Sequence, residues 1–353
     1  VPSAASTTPA LNAYLRAATL GNLAGTSSDA LFGASGMQSV EILLKIESLE
    51  ATWNGLTNNN FAADWDGGGD RYSQWRPVSG LLSWTKSPPL FGELDSRRFR
   101  VWVRSTDKAG NVQPALNLAI ATPGLGTAVE LTKEEINTDK NADGSPAYTF
   151  TYDNTPPTSV VTAPAKYERG MPTAVSGTAQ DAFPAREPSG IVQMQLRYRR
   201  SDGLYWSLVN SDFDIANTDV FSFVSWNVVA SPWSFTNFNA TSFQDGFEYT
   251  VNSQGQDASG NYESGGLSTY TFIVDRSSSV AKAGFPAHNG FASAALASVT
   301  GTADDRYCYL PNETPGLCPG TGGRNFQSGL SASSVTVAVQ EIAGSNFFWN
   351  GQS

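Results

Sequence analysis

Three segments of the chain repeat the same order of short motifs, and this internal repeat limits the fold more than any other feature. Each segment opens with a Gly-Thr pair followed by an Asp, in LAGTSSDA from Leu23, VSGTAQDA from Val175 and VTGTADD from Val299. A Ser-Gly pair, a run of alternating apolar and polar residues and then a Trp follow in every copy. A pattern repeated in this way indicates tandem copies of one domain.

The alternating runs predict β-strands with one buried face, because successive side chains of a strand point to opposite sides. They read SVEILLKIE from Ser39, IVQMQLRYRR from Ile191 and SSVTVAVQE from Ser333. The first two copies continue with aromatic strands and end in YTFTYD at Asp153 or YTFIVD at Asp275. Many short strands separated by turn residues predict an all-β chain of antiparallel β-sandwiches.

Tryptophans recur at matching places in the first two copies, which favours a role in the core between two sheets. They are Trp53, Trp75, Trp84, Trp206, Trp226 and Trp233. The alternative is an exposed aromatic platform on which a sugar stacks.

A second shared motif, Asp-x-(Ala/Ser)-Gly-Asn, follows the aromatic strand in both copies and predicts a turn. Asp caps such a turn, Gly adopts a positive φ, and Asn tolerates the left-handed region. The residues are Asp107, Gly110, Asn111, Asp257, Gly260 and Asn261. A calcium site at the joint between domains, including Asp29 or Asp181, is the alternative.

The motifs resemble those of bacterial immunoglobulin-like repeats of the Big type, which occur in tandem in large secreted and surface-attached proteins. The resemblance rests on Gly-Thr-Ala-x-Asp, Asp-x-Ala-Gly-Asn and Thr-Pro-Pro-Thr, and it covers nearly all of the chain apart from two insertions. It implies tandem immunoglobulin-like sandwiches and a role in a stalk, adhesin or filament. Some such repeats bind calcium where domains join.

The repeat predicts a first domain over residues 1–155 with an insertion at about 115–145, a second over 156–276 and a third over 277–353. The third is incomplete, because WNGQS ends the sequence just after its first Trp. A further Asp-x-x-Gly-Asn copy is expected just beyond Ser353. Strand exchange with a neighbouring chain could complete the third domain; the alternative is that its remainder is disordered, cleaved or absent from this segment.

Two acidic stretches are candidate calcium sites, because oxygen side chains beside a Gly bend suit this cation. The stronger is Asp-x-Asn-x-Asp-Gly in the first insertion, and the weaker lies in DWDGGGDRY. Their ligands would be Asp139, Asn141 and Asp143 in the first and Asp64, Asp66 and Asp70 in the second. The first lacks the acidic residue at the twelfth position of a calcium loop, which is Phe150. Plain polar loops are the alternative for both.

The two cysteines, Cys308 and Cys318, lie close together in the third repeat and predict a disulfide in an oxidising compartment. No His cluster completes a zinc site, because His288 is the one histidine in the sequence. The net charge of −10 argues against a nucleic-acid partner, and no apolar run is long enough to span a membrane. These features favour an extracellular or cell-surface protein.

No catalytic arrangement stands out in the sequence, and the chain is therefore expected not to be an enzyme. The first functional hypothesis is a structural repeat of a stalk, fibre or filament, with copies of itself or neighbouring repeats as partners. The second is an adhesin, or a glycan- or protein-binding module appended to a larger secreted protein. An exposed aromatic row would favour the second hypothesis, and buried tryptophans with large contacts between chains would favour the first.

Overall fold

In a computed structural model, the regular secondary structure of the described residues is almost entirely β-strand. The structure describes residues 2–29, 34–58, 60–67, 74–113, 148–183, 186–216, 221–224, 232–236, 238, 242–287, 290, 298–305, 328–331, 335–340 and 348. In this part of the chain, no helix has the length and apolar character needed to cross a membrane.

The first repeat forms two sheets. The smaller has the order β1-β3-β8, with β1 (Ser3–Thr8), β3 (Leu23–Ser28) and β8 (Ser83–Lys86). The larger contains β2 (Ala13–Leu15), β4 (Met37–Ile46), β5 (Ala51–Trp53), β6 (Trp65–Asp66), β7 (Arg76–Pro77), β9 (Arg97–Asp107) and β10 (Tyr148–Tyr152). Its order is β2-β10-β9-β4-β5-β6, with β7 paired to β4. Helix α1 (Phe61–Asp64) is a single turn before β6.

The second repeat forms the same two sheets from corresponding strands. The smaller has the order β11-β13-β18, with β11 (Thr158–Ala163), β13 (Val175–Gln180) and β18 (Trp233–Phe235). The larger contains β12 (Tyr167–Glu168), β14 (Ile191–Arg200), β15 (Tyr205–Ser207), β16 (Asp212–Ile215), β17 (Ser222–Val224), β19 (Phe247–Asp257) and β20 (Thr269–Val274). Its order is β12-β20-β19-β14-β15-β16, with β17 paired to β14. The fold is thus a tandem of immunoglobulin-like β-sandwiches.

The third repeat has one sheet in the described residues, made of β21 (Val280–Phe285) and β22 (Thr300–Asp304). These strands correspond to the first pair of each complete sandwich. The strand predicted from Ser333 is not found in the described residues. Residues 335–340 form no strand, and an isolated β-bridge joins Gln340 to Phe348. In the other copies this strand pairs with β9 or β19, and the described part of the third repeat offers no such partner.

By contact density the chain divides into two compact units. The first comprises Val1–Thr158, Ala179–Gln193 and Gly255–Gly265, and the second comprises Ser159–Thr178, Met194–Gln254 and Gly266–Ser353. The domain limits at about 155 and 276 stay a prediction from the repeat.

Aromatic side chains fill the core of each sandwich. In the first, the ring of Phe99 lies 4.6 Å from Phe91 and 5.2 Å from Phe150, measured between centroids. In the second, the ring of Tyr249 lies 5.0 Å from Phe243 and 5.3 Å from Phe272. Complete burial of one such side chain stabilises the fold by about 1.5–3 kcal/mol.

In the first two repeats, the Gly of the Gly-Thr motif lies beneath a Trp ring of the neighbouring strand. Gly25 of β3 is directly opposite Trp84 of β8, and a Cβ on this Gly would lie 2.3 Å from the Trp ring and 2.0 Å from the carbonyl oxygen of Ala5. The indole N–H of Trp84 donates to the carbonyl of Thr26 at 3.3 Å. Glycine is required here because any side chain would occupy the space of the ring and of a backbone oxygen.

The second repeat contains the same arrangement. Gly177 of β13 is opposite Trp233 of β18, and a Cβ on it would lie 2.4 Å from the ring and 1.9 Å from the carbonyl oxygen of Val160. The indole N–H of Trp233 donates to the carbonyl of Thr178 at 3.1 Å. The glycine of the Gly-Thr motif and the tryptophan that follows it much later in the sequence therefore pack against each other in both repeats.

We expect Gly177→Ala to lower the free energy of unfolding by about 3 kcal/mol, because the backbone oxygen of Val160 cannot move aside without breaking the sheet. Urea unfolding followed by tryptophan fluorescence measures this change. Gly170→Ala is the matched control, because a Cβ there meets no atom within 4 Å. Equal stabilities of the two variants would contradict the packing argument.

Candidate metal centre

The Asp-x-(Ala/Ser)-Gly-Asn stretch is a tight turn at the end of β9. The side chain of Asp107 accepts hydrogen bonds from the backbone N–H of Asn111 at 2.8 Å and from its side-chain amide at 2.7 Å. Gly110 has a φ of +86°, a conformation that glycine adopts without steric cost. The chain then turns back, and the backbone N–H of Gln113 donates to the carbonyl of Ser105.

The turn after β19 has the same geometry. Asp257 accepts from the backbone N–H of Asn261 at 2.8 Å and from its side-chain amide at 2.7 Å, and Gly260 has a φ of +86°. The same amide also donates to the backbone carbonyl of Asp153 at 2.9 Å. The second turn is therefore hydrogen-bonded to the residue that directly follows β10.

Three carboxylates meet at this place. Asp153, Asp181 and Asp257 each offer an oxygen, and these oxygens all lie within 4.8 Å of one another. All three residues belong to the first compact unit. Asp153 and Asp257 are almost completely buried, with 0% and 1% of their surface exposed, so their charge is shielded from water.

The carboxylate of Asp153 is occupied by hydrogen bonds. Its Oδ2 accepts from the backbone N–H of Ser189 at 2.6 Å, and its Oδ1 accepts from the hydroxyl of Ser96 at 3.1 Å and the backbone N–H of Thr155 at 3.2 Å. These three donors hold the side chain in one orientation.

Asp181 is less completely satisfied. Its Oδ2 accepts from the backbone N–H of Gly190 at 2.7 Å. Its Oδ1 is buried and accepts no hydrogen bond from any residue that the structure describes. A buried carboxylate oxygen without a donor is costly, so this atom is a ready ligand for a cation.

Burial, and to a smaller extent neighbouring charges, change the pKa values of two carboxylates in the cluster. Burial, and then the charge of Asp153, raise the pKa of Asp181 to about 7, although the bond from Gly190 opposes this. Burial also raises the pKa of Asp257, against the lowering effect of its bonds from Asn261. The matching Asp107 has a lowered pKa, chiefly because Asn111 donates to it. The same turn therefore differs between the repeats chiefly because burial raises the pKa of Asp257, and the charge of Asp153 adds to this effect.

The cluster has the chemistry of a site for a hard cation. Ca²⁺ takes six to eight oxygen ligands and is bound mainly by carboxylates, carbonyls and water. Three carboxylates supply the negative charge, and Asp181 supplies an oxygen that nothing else in the described structure uses.

The other residues that the sequence predicts as calcium ligands lie outside this cluster, where the structure describes them. The carboxylate of Asp64 accepts from Asn58 and from the backbone N–H of Asn60, around the start of α1. Asp66 lies on β6, and Asp29 accepts from the backbone N–H of Gly36 at 2.9 Å. Several residues lie outside the described part of the chain, namely Asp70, Asp139, Asn141, Asp143, Trp226, His288, Cys308 and Cys318.

The described tryptophans are buried, with exposures of 8% or less: Trp53, Trp65, Trp75, Trp84, Trp102, Trp206 and Trp233. None of these seven rings offers a surface for a ligand. Asp153 is the member of the cluster that was not predicted from the sequence to bind a cation. The signal for it is the strand ending Tyr-Thr-Phe-x-x-Asp, which occurs at both Asp153 and Asp275.

Comparisons with known proteins add little to this geometry. No known family and no curated protein matches the sequence. Among solved structures, the chain is similar to fibronectin(III)-like modules of Clostridium thermocellum CbhA, with 10% identity, a TM-score of 0.30, and coverage of 77% of this chain and 94% of that one. It is also similar to a tetra-tandem repeat from the extending region of a large adhesion protein, with 15% identity, a TM-score of 0.27, and coverage of 74% and 46%. The fold assignment rests on the strand order.

We expect the folded protein to lose stability as the pH rises from about 4 to about 7 in a buffer with a metal chelator. The pKa of Asp181 is about 7 in the folded state, against about 3.9 in an unfolded chain. Between these values the folded state binds more protons, so the free energy of unfolding falls with rising pH. Melting temperatures at about pH 5.5 and about pH 8 measure the effect.

Asp181→Asn should remove much of this pH dependence and raise the melting temperature at the higher pH, because an amide oxygen can still accept from Gly190. The matched control is Asp29→Asn, since Asp29 accepts from Gly36 in the same way. An unchanged pH dependence in Asp181→Asn would contradict the assignment.

Proposed function

We propose that the chain is a structural, non-catalytic repeat segment of an extracellular or cell-surface protein, in a stalk, fibre or filament. The observation that carries this proposal is a hydrogen-bonded joint that occurs twice. Asp153, after the last strand of the first repeat, accepts from the backbone N–H of Ser189 at 2.6 Å. Asp275, after the last strand of the second repeat, accepts from the backbone N–H of Ser328 at 2.7 Å.

The surrounding contacts of the two joints also correspond. Asp153 accepts from the backbone N–H of Thr155, and Asp275 from that of Ser277, both at 3.2 Å. In each case the aspartate at the end of one repeat fixes the Ser of the Ser-Gly pair in the next. A joint repeated with the same chemistry supports a tandem array in which each repeat is connected to the next in the same way.

We further propose that calcium binds at Asp153, Asp181 and Asp257 and stiffens this joint. A divalent cation would neutralise charge that now has no compensating donor at the Oδ1 atom of Asp181. Because the ligands come from separate parts of the chain, the bound cation would link them and oppose their separation.

We expect added calcium to raise the melting temperature. At a free concentration one hundred times the dissociation constant, the gain in the free energy of unfolding is about 2.7 kcal/mol. Calorimetry in calcium and in chelator measures it. Asp181→Ala should abolish the gain, and Asp29→Ala should keep it, because Asp29 is not part of the cluster. A calcium gain that survives Asp181→Ala would remove the proposed site.

The finer proposal is that the third repeat pairs with a strand from a second copy of the chain. Its support is apolar surface, since Phe285, Val335 and Val337 are 50%, 50% and 60% exposed. A strand from a neighbouring chain could cover these side chains and supply ladder partners. Such exchange would join copies into a filament.

We expect the purified chain to self-associate as its concentration rises, and electron micrographs of concentrated samples to show fibres. Val337→Lys should shift sedimentation profiles to monomer, because a charge would be buried in the exchanged sheet. The control is Val209→Lys, at an exposed valine outside the third repeat. A chain that stays monomeric at all concentrations would exclude strand exchange and leave the calcium proposal standing.

A further inference from the structure

Both sandwiches present an exposed tyrosine at the same position of an edge strand. Tyr14 on β2 is 47% exposed, and Tyr167 on β12 is 46% exposed. Tyr14 is paired with Thr151 and Tyr167 with Ile273, and each partner directly follows the Phe of a Tyr-Thr-Phe sequence. Tyrosine combines a flat apolar ring with a polar hydroxyl group, and it is enriched where proteins bind partners.

A cleft of about 450 Å³ lies beside the first tyrosine. Thr151 is paired with Tyr14 on one side and with Arg98 on the other, so the three side chains form a row across neighbouring strands. Asn12 and Glu187 also line the cleft. The side-chain oxygen of Asn12 accepts from the guanidinium of Arg98 at 3.3 Å, which holds both groups in place.

The second tyrosine also borders a cleft, of about 440 Å³, in the other compact unit. Its polar lining includes Glu168, Arg169, Asp275 and Arg276. The amine of Lys166 lies 5.4 Å from the centre of the Tyr167 ring. A similar combination of one aromatic ring and several hydrogen-bonding groups thus occurs in both repeats.

The lining of the clefts selects the class of ligand. Each cleft combines cationic and anionic side chains, so neither presents the single-sign charge that a phosphate or nucleic acid requires. An apolar ligand would remove these charged side chains from water without offering them any hydrogen bond in return. A neutral molecule with many hydroxyl groups satisfies both donors and acceptors, and the flat C–H face of a sugar ring can cover the tyrosine.

We propose that the clefts beside Tyr14 and Tyr167 are binding sites for a neutral polysaccharide. The tyrosine ring stacks on a sugar, and the side chains of Asn12, Arg98 and Glu187 hydrogen-bond its hydroxyl groups in the first cleft. Two sites in one chain increase retention on a polysaccharide surface beyond the affinity of either alone. This activity is independent of the proposed calcium site and of strand exchange.

Affinity electrophoresis in gels that contain soluble neutral polysaccharides tests the proposal, with a mixed-linkage β-glucan, a xylan, a galactomannan and amylopectin as separate probes. We expect at least one of them to retard the chain. Tyr14→Ala and Tyr167→Ala should each weaken binding about two- to tenfold, as expected for loss of one ring contact. The double variant should migrate as it does in a gel without polysaccharide.

Two controls separate the stacking surface from the fold. Tyr14→Phe should keep most of the retardation, because it retains the ring. Tyr262→Ala should migrate like the unmodified chain, since Tyr262 is 44% exposed but lines neither cleft. Circular dichroism must show that every variant remains folded.

Three results would overturn the proposal: no retardation by any of the four polysaccharides, retardation that survives in the double variant, or loss of retardation in Tyr262→Ala. If the double variant instead abolished self-association, the clefts would be contacts between copies of the chain. Calcium-dependent melting would be unaffected by any of these results, so the two proposals can fail separately.

Discussion

The contact between a tryptophan ring and a glycine on the adjacent strand is the constraint on which each sandwich depends. Trp84 and Trp233 each cover the opposite glycine and donate to a carbonyl of the same strand. The tryptophan ring occupies the space that a side chain on the glycine would need. It therefore packs directly against the backbone of the smaller sheet. Because ring and glycine are both needed, neither can change alone without a large loss of packing.

Charged and polar groups hold the joint between repeats together, whereas apolar packing holds the cores together. Asp153 is fully buried and ionised groups are costly there, yet three donors satisfy its oxygens. Asp181 belongs to the same cluster, but among the described residues only the backbone N–H of Gly190 donates to its carboxylate, at Oδ2. The resulting excess of negative charge makes the stability of this joint depend on pH and, in our proposal, on calcium, whereas the apolar packing of the sandwiches depends on neither.

Much of the fold could be predicted from the sequence, because period-two alternation and repeated motifs report directly on strands with one buried face. The strand from Ile191 to Arg200 was predicted with its observed limits. The edge strands β2 and β12 are too short for an alternation of apolar and polar residues to be recognised. Each of them carries one of the two exposed tyrosines. In the cluster, Asp181 and Asp257 belong to motifs, but their meeting with Asp153 depends on how distant strands are ordered, which local patterns do not contain.

The donors that Asp153 and Asp275 use from the following repeat are backbone N–H groups, at Ser189 and Ser328. Every residue except proline carries such a group, so the joint places little demand on the identity of the side chain that it holds. Successive repeats can diverge in sequence, or be gained and lost as whole units, while the same connection forms. One repeat could therefore replace another at such a joint, and any specificity for a binding partner would depend on the surfaces between the joints.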